Sequence, residues 1–350
     1  MKRKKRILVA PLDWGIGHAT RCIPLINVLL EKFEVVIASD NRALHLLKLE
    51  FPKLEFIRFP DYNIKYHKYL PMGITMLLQA GKILFGIQKE QKIIDEIIES
   101  YNIDGIISDN RFGLSTKKIP CVFMTHQLEI QSPFFINIIQ KLNYSYINKY
   151  NACWVVDSKE KNLAGRLSKP KKLPKNTIYI NTLSRFKKKK VKKKYDFLAI
   201  ISGPEPQRTI FENGLTKALL KRNENAMIVL GKPEEETNKK INNLTIISHL
   251  KSEELNLAIL ESELIICRSG YSTIMDLEKL EKKAFLIPTP GQTEQEYLAN
   301  LLHQKKICYY QKQTDFNFEE GIIESRKYNG FKKKSDLKTQ WQDLFSLFQE

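Results

Sequence analysis

The chain has 350 residues, 43% apolar and 10% aromatic, which supplies packed cores for one large or two ordinary domains and excludes a disordered or collagen-like protein. Fifty-seven Lys and Arg against thirty-nine Asp and Glu give +18. Eleven Lys and Arg185, with no acidic residue, lie within Lys169 to Lys194, so that stretch alone carries +12.

The N-terminus, MKRKKRILVAPLD, begins like a signal peptide, but Asp13 cuts its apolar run after about six residues, short of the roughly seven to fifteen of a cleavable core. A first β-strand is the expectation. The uncharged stretch Tyr69 to Gly81 has thirteen residues, where a spanning helix needs about twenty. The five cysteines, Cys22, Cys121, Cys153, Cys267 and Cys308, lie far apart, with no CxxC pair and no Cys/His cluster at metal spacing. Buried thiols in a reducing cytoplasm are expected, with a disulfide or a zinc site as the alternative.

Short β-branched runs alternate with helical patterns along the chain, the signature of parallel sheets covered on both faces. Strands are expected near Ile7–Pro11, Val35–Ser39, Phe56–Phe59, Gly105–Asp109, Val122–Thr125 and Cys153–Asp157. The pattern restarts at Phe197–Ser202 and continues at Met227–Leu230, Thr245–Ile247, Leu264–Cys267, Phe285–Pro288 and Ile307–Tyr310. Two doubly wound α/β domains follow, 1–165 and 196–334. Residues 166–195 form a basic linker, whose lysines at 187–194 either stay solvated or attract anionic lipid. Without interleaved aromatic residues they do not suit nucleic acid. Apolar residues at Leu337, Trp341, Leu344, Phe345 and Phe348 predict a final helix, 335–350, packing across both domains.

Four strand ends carry chemistry. PLDWGIGHATR places Gly15, Gly17 and His18 on a turn that opens a helix near Thr20, where bare backbone NH groups favour an anion or a sugar. Arg21, one turn on, either pairs with an anion there or sits exposed. FLAIISGPEPQRT puts Ser202 and Gly203 at a strand end and Arg208 in the next helix, as a diphosphate clamp. LIICRSGYSTIMD puts Arg268, Ser269 and Gly270 in a turn, with Thr273 and Asp276 sharing a helix face beyond it. A carboxylate there can accept ribose hydroxyls, or simply be an exposed helix residue. In AFLIPTPGQTEQEYLANLL, Thr293 and Glu296 fit a capping box, leaving the carboxamides of Gln292 and Gln295 for sugar hydroxyls.

CRSG, a carboxylate six residues after its glycine, and P-x-x-Q-x-x-Q together resemble the donor domain of glycosyltransferase family 28. PLDWGIGHATR is similar to that family's amino-terminal glycine-histidine loop, and with INTLSRF the resemblance spans roughly residues 5 to 305. It implies a GT-B fold, two Rossmann-like domains facing a cleft, with a nucleotide sugar held mostly by the second. It further implies that Ser202, Gly203 and Arg208 meet the diphosphate, Leu250 the base, Ser269, Gly270 and Thr273 the phosphate, Asp276 the ribose and Gln295 the sugar. His18 matches a histidine near the acceptor, and His126 in FMTHQLE a second histidine motif. Asp13, Gly15, Gly17, Arg21 and Asp109 complete the expected acceptor side.

There are departures. SGPEPQ replaces a glycine-rich loop, Glu281 stands where glycine is usual, Asp276 where glutamate is usual, and THQLEI lacks the HEQN signature of the peptidoglycan enzyme. They point to another acceptor, such as a lipopolysaccharide or lipid intermediate. The expected activity is inverting, metal-independent transfer from a UDP-sugar, most simply UDP-N-acetylglucosamine, to a lipid-linked or glycan acceptor at the inner face of the cell membrane. His18 is the expected base, with Asp13 or Asp109 next in line, and neither a metal nor a cofactor beyond the UDP-sugar co-substrate is called for. A nucleotide-sugar epimerase or hydrolase, and a non-catalytic basic protein binding lipid or nucleic acid, are the competing readings.

Overall fold

The structure, a computed structural model, describes residues 3–59, 62, 78–130, 136–332 and 339–349. The chain divides into two compact units, one running to Leu183 and taking back the last described residues, the other starting at Ser184.

The first unit is built on seven parallel strands in the order β3-β2-β1-β4-β5-β6-β7. These are β1 (Arg6–Pro11), β2 (Glu34–Ser39), β3 (Glu55–Arg58), β4 (Gly105–Asp109), β5 (Cys121–Thr125), β6 (Ala152–Val155) and β7 (Thr177–Tyr179). Helices α1 (Ile16–Leu30), α2 (Asn41–Glu50), α3 (Ala80–Ser100) and α4 (Ile136–Ile147) connect them. The central strands read as unbroken apolar runs because both faces are covered: every residue of β4 and β5 is buried. β7 was not expected. Its three residues, TIY, lie inside the basic stretch and are only partly buried, so no apolar run announces them.

The second unit repeats the design. Strands β8 (Tyr195–Ile200), β9 (Ala226–Val229), β11 (Leu244–Ile247), β12 (Ser262–Cys267), β13 (Lys283–Leu286) and β14 (Tyr309–Tyr310) are parallel, while β10 (Asn238–Ile241) adds to β11 antiparallel at the edge. β10 reads NKKI and is wholly exposed, so it too carries no apolar signal. Helices α5 (Gln207–Leu219), α6 (Ser252–Glu261), α7 (Tyr271–Leu280), α8 (Thr293–Gln304) and α9 (Phe318–Arg326) cover this sheet.

Each unit has its own core: Leu8, Val36, Ile106 and Phe123 among others in the first, Ala199, Ile228, Ile266 and Phe285 in the second. Each fully buried Leu, Ile, Val or Phe contributes about 1.5–3 kcal/mol. At Gly321 the core demands a missing side chain, since a Cβ would lie 2.3 Å from the Phe285 ring. All five cysteines are buried and none forms a disulfide.

The final helix, α10 (Trp341–Ser346), belongs to the first unit. Phe345 and Phe348 are each 1% exposed and pack against Phe33 and Trp154. Residues 333–338, and with them Leu337, lie outside the described residues, as do residues 69–77 of the uncharged stretch. Among the described residues no helix is long and apolar enough to cross a membrane.

The lysine run is exposed yet partly tied to the second unit. Lys188 pairs with Glu281, and Lys193 Nζ donates to the carbonyls of Leu260 at 2.8 Å and Ser262 at 2.7 Å, at the end of α6.

Candidate functional site

In the first unit the residues expected around the acceptor converge at the carboxyl ends of β1 and β4. Helix α1 starts one turn earlier than the sequence suggested: Gly15, at φ 100°, precedes it, so Gly17 and His18 lie in its first turn rather than in a loop. Gly15 N donates to Asp13 O at 2.7 Å, closing a tight turn directly after the strand. A Cβ at Gly15 would meet nothing within 4 Å, so its φ and not crowding is what favours glycine.

Arg21 is neither exposed nor held ready for an external anion. It is 2% exposed, and its Nε donates to Asp109 Oδ2 at 2.7 Å while Nη2 reaches Oδ1. The same guanidinium lies 2.6 Å from His126 Nδ1 and 2.9 Å from His18 Nδ1. Burial alone would raise the Asp109 carboxyl, but Arg21 and His18 overcome it and hold the group well below the ordinary carboxylate range. His18 is pushed below its ordinary value of 6.5 by burial first and by Arg21 second, with Asp109 opposing.

This geometry sets what His18 can do. Its Nδ1 stands between the Arg21 donor and Asp109 Oδ2, 3.3 Å away. Guanidinium can only donate, so accepting from Arg21 places the ring proton on Nε2. In the other tautomer Nδ1–H faces Asp109, and Nε2 is bare and able to accept a proton. The His18 side chain keeps 16% exposure, whereas Asp109 has none, which leaves His18 and not Asp109 within reach of a substrate hydroxyl.

Asp13 is held separately. Its Oδ2 accepts from Asn41 Nδ2 at 2.8 Å, and Arg111 Nη2 is 3.8 Å from Oδ1. Arg111 is fully buried, donates to Glu90 Oε1 at 2.8 Å and lies over the Phe59 ring at 4.9 Å. Neither Glu90 nor Arg111 was singled out in the sequence, because they are 21 positions apart and no local pattern joins them.

In the second unit the expected donor residues surround the carboxyl ends of β8, β12 and β13. Gly270 precedes α7 with no side-chain cap and with open space where a Cβ would stand. The first NH groups of a helix have no partner within it, so this start is a place for an anionic group. Thr273 and Asp276 follow on α7, both half-exposed. Ser269 is fully buried and its Oγ donates to Gln295 O at 2.7 Å, tying the turn to α8. Gln295 Oε1 accepts from Thr289 N at 2.9 Å, and its Nε2 donates to Gln292 Oε1. Leu250 is half-exposed between β11 and α6.

Several assignments need correcting. Arg268 is 1% exposed, and its guanidinium donates to the carbonyls of Gln207 at 2.9 Å, Ile287 at 3.0 Å and Pro288 at 3.2 Å, lying 4.2 Å over Phe211. It fastens the start of α5 to the loop after β13 instead of facing a ligand, and burial lowers its pKa to about 9. Arg208 is 3% exposed and donates to Glu205 at 2.6 Å and Glu212 at 2.7 Å, so its charge is already matched within the protein. The Thr293–Glu296 capping box does not form. Gln292 is the residue before α8, and Glu296 Oε1 instead accepts from Gly291 N at 2.9 Å. Ser202 and Gly203 lie in the loop that follows β8, with Gly203 at φ 111°.

Two residues near this group were missed. Thr289 is 1% exposed, with its Oγ1 3.3 Å from where a Cβ at Gly203 would stand. Ser184 Oγ donates to Asp276 Oδ1 at 2.6 Å from a position 92 residues away. Among the described residues no group of three or more His, Cys, Asp or Glu is arranged to hold a metal ion.

Residues 207–342 match the glycosyltransferase family 28 C-terminal domain. Among solved structures, the chain is similar to the spinosyn rhamnosyltransferase SpnG complexed with thymidine diphosphate, with TM-score 0.64, 16% identity and 93% of each chain covered. It is similar to the glycosyltransferase SnogD from Streptomyces nogalater, with TM-score 0.58, 12% identity, and 92% of this chain and 93% of that one covered. MurG from Acinetobacter baumannii gives TM-score 0.54, 12% identity and 99% of both chains covered. No curated protein matches the sequence. Two Rossmann-like α/β units with these neighbours define the GT-B fold, and the protein is a glycosyltransferase.

Proposed function

We propose that the protein transfers a sugar, N-acetylglucosamine, from a UDP-sugar to a hydroxyl of a cell-envelope glycan or lipid-linked acceptor, with inversion and without a metal ion. The observation that carries the donor side is the uncapped, unobstructed helix start at Gly270, inside the stretch that matches the family 28 domain. The thymidine diphosphate in the SpnG structure supports a nucleoside diphosphate site on this fold. In the tautomer with its proton on Nδ1, facing Asp109, His18 takes the acceptor proton on Nε2 as the acceptor oxygen bonds to the anomeric carbon. The bond from that carbon to the diphosphate oxygen breaks and UDP leaves. NH groups at the start of α7 stabilise the departing charge, a role that Arg208, neutralised by two carboxylates, does not fill alone.

A membrane-facing acceptor is supported by exposed apolar side chains in the first unit, Phe85 at 69% on α3 and Ile138 at 67% on α4, beside exposed lysines. The protein then works in the cytoplasm, peripherally at the inner face of the membrane. Cosedimentation with anionic vesicles tests this: binding that weakens with salt supports it, and no binding at low salt favours a soluble acceptor. An epimerase or hydrolase would keep the donor site but use no second substrate. UDP released from UDP-N-acetylglucosamine only when an acceptor is present separates these activities.

A further inference from the structure

We propose that Ser184 is a donor-specificity residue: its hydroxyl and the Asp276 carboxylate form one reader of the ribose hydroxyls, selecting ribonucleoside diphosphates over their deoxy analogues. The inference rests on the donor site proposed above and adds a contact that no motif announces.

Ser184 opens the stretch Ser184–Lys334 of the second unit, in the segment that leads into β8. Its Oγ donates to Asp276 Oδ1 at 2.6 Å and accepts from Phe186 N at 3.2 Å. A hydroxyl has one proton and two lone pairs, so one lone pair remains. Among the described residues Asp276 has no other hydrogen-bond partner. The pair therefore presents a carboxylate oxygen and a hydroxyl lone pair side by side, two acceptors suited to the two donors of a ribose diol.

Its placement fits that ligand. Asp276 lies six residues beyond Gly270, about 9 Å along the axis of α7 at 1.5 Å per residue, so a diphosphate at the helix start leaves the nucleoside to extend toward it. Ser184 and Asp276 are both half-exposed, so a ligand can reach them. Arg185, next in the chain, donates to Ser252 Oγ at 3.1 Å at the start of α6 and lies 4.9 Å over Phe186, which fixes the backbone that carries Ser184. Burial raises the Asp276 carboxyl to about 6, against the influence of Arg185 and Ser184, so it is ionised at neutral pH and accepts.

The competing role for Ser184 is to tie the entering segment to α7 without touching a ligand. Calorimetric titration of the full chain and of Ser184→Ala with UDP, 2′-deoxy-UDP and 3′-deoxy-UDP separates the two, with thermal melting alongside. The parent should prefer UDP over at least one deoxy analogue by about tenfold, the value of one good hydrogen bond. In Ser184→Ala that preference should fall below about threefold with the deoxy affinity nearly unchanged, and Ser184→Thr should restore it. If Ser184→Ala keeps both preferences while only its melting temperature falls, Ser184 is a structural tie and the proposal is wrong. Discrimination that is absent in the parent although UDP binds also overturns it. A parent that binds none of the three nucleotides refutes the donor-site reading itself.

Discussion

Arg21 Nε donates to Asp109 Oδ2 at 2.7 Å with both side chains shut away from water. A buried pair of this kind is costly to break, because removing one partner leaves the other charge without compensation. Asp109→Asn should destabilise the first unit by about 3–5 kcal/mol, read by denaturant titration. The depressed Asp109 pKa has a definite sign. Its contribution is present above the carboxyl's unfolded value of 3.8 and is lost only as pH falls through the lower folded value. The parent should therefore lose stability more steeply than Asp109→Asn below pH 3.8, and parallel curves would remove the pair from the account.

His18→Ala should lower kcat by about 10² to 10⁴ while leaving the KM for the donor nearly unchanged. Because burial and Arg21 lower the His18 pKa, the neutral base persists to lower pH than an ordinary histidine, and the acidic limb of the rate profile should break below 6.5. Normal turnover by His18→Ala would return the residue to a structural role, as the Asp13 side chain, like that of Asp109, is shut away from water.

Gly270 makes an unusual prediction for a glycine. Its φ of −67° is ordinary and a Cβ would meet nothing, so folding does not require glycine there. Gly270→Ala should melt at or slightly above the parent temperature, a gain of about 0.4–1 kcal/mol, yet bind UDP at least tenfold more weakly. Unchanged UDP affinity would move the diphosphate away from the start of α7.

Lys282 is 6% exposed and shares its carbonyl acceptors, Leu260 and Ser262, with Lys193. Burial and the neighbouring ammonium lower its pKa to about 7. The unfolded chain then binds the extra proton between about 7 and the ordinary 10.5, so stability should rise with pH across that interval. Lys282→Met should be more stable than the parent at pH 7, by about 1–3 kcal/mol, with the difference shrinking by pH 10. A parent melting temperature that does not change from pH 7 to 10 would contradict this.

Glu281 caps α7 in the left-handed region, at φ 53°, which explains why glycine is usual at that position. Glu281→Gly should gain about 0.5–1 kcal/mol from relieved backbone strain, because the exposed Lys188–Glu281 pair that it loses is worth less than that. A marked loss in thermal melting would show that the ion pair governs this helix end.

The fold was legible because parallel strands covered on both faces are apolar along their whole length, as ILVA in β1 and LIIC in β12 show. TIY in β7 and NKKI in β10 lie at or near sheet edges and carry no such run. The site was legible where a turn sits at a strand end, at Gly15, Gly203 and Gly270. It was not legible where charges find internal partners. Glu205, Arg208 and Glu212 stand at helical spacing, so the neutralisation of Arg208 had a visible signal that phosphate chemistry overshadowed. The carbonyls that hold Arg268, the 88 positions between Arg21 and Asp109, and the 92 between Ser184 and Asp276 left no local trace.

The most direct measurement is product analysis by mass spectrometry after incubating the purified chain with UDP-N-acetylglucosamine, with and without a pool of envelope lipids and glycans as acceptors. The account predicts UDP only when acceptors are present, together with an acceptor species heavier by one N-acetylhexosamine, both abolished in His18→Ala. UDP formed at the same rate without acceptor, or an isomeric UDP-sugar formed in place of UDP, would contradict it.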